Sequence, residues 1–173
     1  VYDGTTNAPG AAPVVTLGNL FLTDSLNGGT FAFVSKNVGN NVTVNVGGVT
    51  VNDGNGGANY QVSYAANNTS SITAAPLTVT AQSVSRTYDG TTAASGSGSV
   101  GLLLGAGAGE TVNTAGTQAF LDKNVGTGNK VVRASGVTIK DSGNADVTGN
   151  YNITHLDNLT STINPPALTV TAP

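Results

Sequence analysis

A tandem duplication restricts the possible folds of this chain more than any other feature of its sequence. The offset between matching positions grows only from 86 residues (Tyr2 to Tyr88) to 91 residues (Leu77 to Leu168). The paired segments, always in the same order, are YDGTT (2–6, 88–92), FxxKNVG (33–39, 120–126), GVT (48–50, 136–138), NY (59–60, 150–151) and LTVTA (77–81, 168–172). A repeat of this length indicates two copies of one small module.

The positions of LTVTA predict how the chain divides. One copy leads into the second Tyr-Asp-Gly, whereas none precedes the first. We therefore expect a first module at 1–75 that lacks its leading strand and a second at 76–163. Residues 164–173 would be a linker and the leading strand of a third module, in a segment cut from a longer array.

The joints between the modules are marked by proline. Pro76 and Pro165–Pro166 precede the two LTVTA segments. Proline fixes the chain direction and lacks an amide donor, which favours modules arranged end to end at a defined angle. We also expect LTVTA to pair across each joint, so that one module protects the edge of the next.

Composition predicts an all-β fold. Charged residues are 9% of the chain, against about 25% in typical domains, and Val, Thr, Gly and Asn favour strands and turns. Short strands are predicted at 14–17, 30–34, 41–46 and 49–53. A closing hairpin is predicted at 59–73 and again at 150–163, with 101–110 a loop around one short strand. Each module would be an immunoglobulin-like sandwich or a related β fold such as a β-grasp.

Taken together, these motifs resemble the YDG repeat module of large bacterial surface exoproteins. YDGTT, FxxKNVG, GNYxIT and the final Ile-Pro-LTVTA pattern carry the resemblance over essentially the whole chain. The family includes adhesins similar to filamentous haemagglutinin that are exported by two-partner secretion. The resemblance implies a protein secreted to the bacterial surface, acting as a stalk in adhesion or biofilm formation, and it supplies no catalytic residues.

The Tyr-Asp-Gly motif predicts a structural turn. Its residues are Tyr2, Asp3, Gly4, Tyr88, Asp89 and Gly90. Asp-Gly favours a tight turn in which Gly takes positive φ and Asp accepts from its own backbone. The tyrosine would anchor the turn with a buried ring and a solvated hydroxyl.

Two polar loops offer an alternative, ligand-binding function. The candidate calcium ligands are Asp53, Asn55, Asn59, Asp141, Asn144 and Asp146, which carry the hard oxygens that calcium prefers. Neither loop has the twelve-residue calcium signature, and the same residues are typical of long hairpin turns. Each repeat could thus hold calcium or a host or matrix glycan in these loops, or simply turn the chain.

Other function classes are disfavoured by residues that the chain lacks. A net charge of −3 without a basic stripe argues against nucleic-acid binding. There is no Cys, and His155 is the single histidine, so we expect no enzymatic activity and no other cofactor. No apolar stretch approaches the roughly 20 residues of a membrane span. We expect a monomeric fragment whose main partners are neighbouring repeats.

A covalent Lys–Asn crosslink within a module is a further alternative. It would require a lysine, Lys36 or Lys123, to lie beside an acid, Asp24 or Glu110.

Overall fold

The computed structural model describes all 173 residues and divides the chain into two compact units, 1–73 and 74–173. Strands form nearly all of the regular structure, and the two helical segments are short 3₁₀ helices at Leu104–Ala108 and Thr148–Asn150. The prediction of an all-β fold is confirmed. Neither helix has the length needed to cross a membrane.

Unit 1 contains one antiparallel sheet of three strands, in the order β1-β2-β3. The strands are β1 (Ser25–Phe33), β2 (Gly39–Asn52) and β3 (Asn67–Ile72). Val44, Val49 and Val51 of β2 are buried together with Ile72 of β3. These β-branched side chains form the core of the unit on one face of the sheet.

Unit 2 contains two sheets built from eight strands. The strands are β4 (Ala75–Thr80), β5 (Ser85–Thr87), β6 (Ala93–Ala94), β7 (Ser99–Val100), β8 (Thr111–Phe120), β9 (Gly126–Lys140), β10 (Tyr151–Leu156) and β11 (Asn158–Asn164). The smaller sheet has the order β10-β4-β7, and the larger has the order β5-β11-β9-β8-β6. Strand β4 runs parallel to β10, and β5 runs parallel to β11.

The core of unit 2 lies between these two sheets. A Cβ atom on Gly98 would stand 2.7 Å from Ala134 of β9 and 2.8 Å from Val79 of β4. Gly98 therefore lies between the two sheets, at a position where a larger side chain would clash with both. Val79, Val132, Ile139 and Ile163 are completely buried. Unit 2 is thus a small two-layer β-sandwich.

The prediction that residues 150–163 form a closing hairpin in the second module is wrong. Residues 151–156 and 158–164 both form strands, but β10 pairs with β4 whereas β11 pairs with β9 and β5. The chain changes sheets at Asp157 instead of turning back on itself. Two adjacent apolar strands look the same in sequence whether they pair with each other or with partners elsewhere.

Four other strand predictions also need correction. Residues 14–17 form no strand, and neither does the first half of the hairpin predicted at 59–73. The strands predicted at 41–46 and 49–53 are one continuous strand, β2, which accommodates Gly48 at a φ of 66°. The segment 101–110 contains the first 3₁₀ helix instead of a strand.

The first LTVTA segment pairs only within its own unit. Its strand, β4, lies between β10 and β7, and both belong to residues 74–173. Leu77, Val79 and Ala81 point into the core of unit 2. The expectation that this segment pairs across the joint is therefore wrong, because it is the central strand of the smaller sheet.

Candidate functional site

The Tyr-Asp-Gly motif forms the same turn in both units. Gly4 and Gly90 have φ values of 79° and 84°, which L side chains rarely adopt. Asp3 accepts hydrogen bonds from the backbone N–H and the hydroxyl of Thr5, both at 2.8 Å. Asp89 accepts the same pair from Thr91, at 2.9 and 2.8 Å. The predicted turn is confirmed, and the threonine that follows the glycine is part of it.

This turn joins the beginning of each module to its end. The N–H of Tyr2 donates to Thr73, and the N–H of Tyr88 donates to Asn164, each at 2.8 Å. On the far side of each turn, the carbonyl oxygens of Thr6 and Thr92 accept from the N–H groups of a phenylalanine, again at 2.8 Å. In each module, backbone hydrogen bonds on both sides of the turn therefore connect the repeated motif to other segments of the same module.

The two tyrosines of the motif differ in burial. Tyr2 is 1% exposed, whereas Tyr88 is only partly buried. The prediction that the tyrosine hydroxyl is solvated is therefore wrong for Tyr2, because the whole side chain is buried. Beside Tyr88, Arg86 forms an ion pair with Asp89 at 2.5 Å and lies 5.2 Å from the centre of the Phe120 ring. The hydrogen bonds from Thr91, together with Arg86, lower the pKa of Asp89 to about 2.

A second tyrosine in each unit binds an acidic side chain, a pairing that the sequence motifs did not predict. The hydroxyl of Tyr60 donates to Asp24 at 2.6 Å, and that of Tyr151 donates to Glu110, also at 2.6 Å. Each hydroxyl also accepts from a backbone N–H, of Phe21 at 3.0 Å in unit 1 and of Gly105 at 3.1 Å in unit 2. We call these pairs the Tyr–acid clamps.

The clamp of unit 2 is deeply buried. Glu110 is 3% exposed, and burial together with the Glu110 hydrogen bond raises the pKa of Tyr151 to about 12. A Cβ atom on Gly105 would lie 2.1 Å from the Glu110 carboxylate. The glycine-rich segment before Glu110 thus leaves room for the acid. The two repeats differ in the acid itself, Asp24 or Glu110, but both place an acid 22 residues after the motif tyrosine (24 − 2 and 110 − 88).

The polar loop of unit 1 turns its candidate ligands toward its own backbone. Asp53 accepts hydrogen bonds from the N–H groups of Asn55 and Gly57 at 2.8 Å and of Asn59 at 3.1 Å. These bonds, led by that of Gly57, lower the pKa of Asp53. The side-chain amide of Asn55 donates to Asn59 at 3.1 Å. The structure brings the three residues together as a self-bonded turn.

The corresponding loop of unit 2 is organised in a similar way. Asp141 accepts from the N–H groups of Gly143 and Ala145 at 2.9 and 3.0 Å, and Asn144 accepts from the ammonium of Lys140 at 3.1 Å. Asp146 accepts from the N–H of Thr148 at 2.8 Å and has a lowered pKa because of its bonds to Thr148. No group of three His, Cys, Asp or Glu side chains is placed to hold a metal ion.

Unit 1 carries a partly apolar groove with a volume of about 1090 Å³. That volume lies at the upper limit of small-molecule pockets. The groove is lined by segment 8–20, by segment 60–70 and by inward-facing side chains of β1 and β2. Val14, Leu17, Val62 and Tyr64 around it are exposed, which is unusual for apolar residues clustered on one face.

Comparison of the two units explains the groove. The repeat offset places 13–14 at the position of β7 and 61–65 at the position of most of β10. In unit 2 these strands flank β4, and Leu103 is only 9% exposed; its counterpart in unit 1, Leu17, is 95% exposed. Residues 1–73 contain no strand equivalent to β4, so neither flanking segment has a partner for its backbone.

The two repeats match a family of known sequences. The YDG domain matches residues 1–69 and 73–160 of this chain. No curated protein and no solved structure matches it.

Proposed function

We propose that this chain, which belongs to the YDG domain family, is a non-enzymatic repeat segment of a secreted bacterial surface adhesin. It acts as an extended stalk that holds a binding region away from the cell during adhesion or biofilm formation. The observation that carries the proposal is that both units contain the same set of stabilising features. Each unit has the closing turn, the Tyr–acid clamp and a valine-rich β core.

The residues that the two units have in common support a mechanical role. The residues that the two units share make internal bonds: Asp3 and Asp89 to threonine, Asp24 and Glu110 to tyrosine. A spacer needs residues that keep each module folded, and repetition then provides length. A module of about 88 residues has a radius of gyration of roughly 12 Å, so each copy adds on the order of 30–40 Å.

A replacement experiment tests this function. In the surface protein that carries the two units, we would delete them, or replace them with two unrelated β-sandwich modules of equal size. A stalk predicts that deletion reduces adhesion of the cells and that the unrelated modules restore it. If the unrelated modules fail to restore adhesion although the protein reaches the surface, the units themselves bind something, and the spacer proposal is wrong.

A further inference from the structure

We propose that Asn55 is a site of spontaneous deamidation, selected by the free backbone N–H of the glycine that follows it. The dipeptide Asn-Gly occurs only twice in the chain, at Asn55–Gly56 and at Asn27–Gly28. Glycine has no side chain to obstruct an attack by its own backbone nitrogen on the preceding side chain. Which asparagine reacts is therefore decided by what holds the following N–H group.

The reaction needs only water as a co-reactant. The backbone nitrogen of Gly56 attacks the side-chain carbonyl carbon of Asn55, and the new C–N bond closes a cyclic imide. The bond from that carbon to the side-chain nitrogen breaks, and this nitrogen leaves as ammonia with the proton of the Gly56 N–H. Water then opens the imide at either of its carbonyl groups, which gives aspartate or isoaspartate. No atom is oxidised or reduced.

The turn around Asp53 leaves the reacting nitrogen free. Asp53 accepts from the N–H groups of Asn55 and Gly57, on either side of Gly56, at 2.8 Å. The N–H of Gly56 itself donates to no group of the protein. Asn55 and Gly56 are both exposed, and a Cβ atom on Gly56 would meet nothing within 4 Å. The Gly56 nitrogen can therefore approach the Asn55 side chain without first losing a hydrogen bond.

The other Asn-Gly pair is held in a β-ladder. Asn27 and Gly28 lie in β1, opposite Thr50 and Val49 of β2. The Thr50 hydroxyl also donates to the Asn27 carbonyl oxygen at 3.1 Å. Rotation of the backbone between Asn27 and Gly28 would disrupt this pairing, so we expect the same dipeptide to react more slowly there.

The corresponding loop of unit 2 binds the equivalent nitrogen. Asn144 is followed by Ala145, whose N–H donates to the Asp141 carboxylate at 3.0 Å. The side-chain oxygen of Asn144 accepts from the Lys140 ammonium at 3.1 Å. The hydrogen bond from Ala145 to a carboxylate must break before the nitrogen can attack, which should slow the reaction at Asn144 by at least about tenfold.

Deamidation of Asn55 would loosen its loop and leave the strands in place. The side-chain amide of Asn55 donates to Asn59 at 3.1 Å, and neither product retains that donor. Isoaspartate also inserts an extra methylene group into the main chain, between the two N–H groups that Asp53 accepts from Asn55 and Gly57. We therefore expect faster hydrogen exchange at 55–59 after the reaction, with the exchange of β1–β3 unchanged.

Peptide mapping by mass spectrometry tests the proposal on the full chain. The protein is incubated at mildly alkaline pH in water enriched in heavy oxygen, so that each asparagine that reacts acquires one heavy oxygen atom. Asn55 should react at least about tenfold faster than Asn27 and Asn144 and give a mixture of aspartate and isoaspartate. The proposal is overturned if Asn55 stays intact, if it reacts no faster than Asn27, or if aspartate forms without isoaspartate.

A matched variant separates the free N–H from the dipeptide itself. Ala145→Gly creates a third Asn-Gly pair in unit 2, and because Ala145 is exposed the variant should fold with its N–H still bonded to Asp141. Asn144 of this variant should still react more slowly than Asn55. Equal rates at the two sites would overturn the proposal, because the free N–H would then not select Asn55.

Discussion

The Tyr–acid clamp of unit 2 gives the sharpest test of what holds a module together. Tyr151→Phe removes one oxygen atom, which donates to Glu110 at 2.6 Å and accepts from Gly105 at 3.1 Å. A hydrogen bond to a charged group contributes about 1.5–3 kcal/mol, and a neutral one about 0.5–1.5 kcal/mol. Because Glu110 is buried, we expect the free energy of unfolding of unit 2 to fall by about 2–4 kcal/mol.

Unit 1 provides a matched control for this substitution. Tyr60→Phe removes the equivalent oxygen, but Tyr60 and Asp24 are only partly buried. Water can then solvate the acid, and we expect a loss of about 1 kcal/mol or less. Hydrogen exchange followed by mass spectrometry measures both variants in the full chain, because peptides from β8–β11 report on unit 2 and peptides from β1–β3 on unit 1.

A double-mutant cycle separates the hydrogen bond from general damage. Glu110→Gln keeps the shape of the side chain and removes its charge, and the cycle with Tyr151→Phe should give a coupling of at least about 1 kcal/mol. The reasoning fails if Tyr151→Phe changes the stability of unit 2 by less than about 0.5 kcal/mol, the range of ordinary surface substitutions.

Alkaline pH provides a second readout of the same clamp. The pKa of Tyr151 rises from 10.0 to about 12 on folding, so between these values the unfolded chain loses a proton that the folded chain retains. Stability from this group is therefore complete below pH 10 and is lost as the pH rises toward 12. In Tyr151→Phe, the stability of unit 2 should decline less steeply over that interval than in the wild type.

Three further predictions concern the turns. Gly116→Ala should destabilise unit 2 by more than about 1 kcal/mol, because Gly116 has a φ of 74° and a Cβ there would lie 1.9 Å from the Ser135 carbonyl oxygen; a thermal melt within 1 °C of wild type would contradict this. Asp89→Asn should flatten the acid side of the stability profile, because a pKa of about 2 in the folded chain means that stability from Asp89 is lost as the pH falls from 4 toward 2. Since Asp53 already accepts three backbone N–H groups, millimolar calcium should leave the melting temperature of unit 1 unchanged, and a rise that EDTA reverses would restore the calcium hypothesis.

The features that could be predicted from the sequence are those in which neighbouring residues bond to each other. Gly90 and Asp89 form their turn with Thr91, two residues away, and the local motif therefore indicated it. The Tyr–acid clamps join residues 36 and 41 positions apart (60 − 24 and 151 − 110). Asp24 and Glu110 share only a distance from the motif tyrosine, and comparing the acids of the two copies at a constant offset would have found them.

The strand predictions based on alternating apolar and polar residues failed for a different physical reason, which a comparison of the two units reveals. The segments NYQVSY and NYNITH have the same alternation of apolar and polar residues, yet only the second forms a strand. The difference is β4, which pairs with Tyr151–Leu156 and has no counterpart in residues 1–73. An isolated extended segment gains no ladder bonds to offset the entropy of ordering its backbone, so alternation alone does not make a strand. The same argument applies to LTVTA itself, which is a buried strand at 77–80 and irregular at 168–172. The tyrosine-containing segment 151–156 and the LTVTA segment at 77–80 are strands because they pair with each other, and the copies of these sequences at 60–65 and 168–172 have no such partner in the structure.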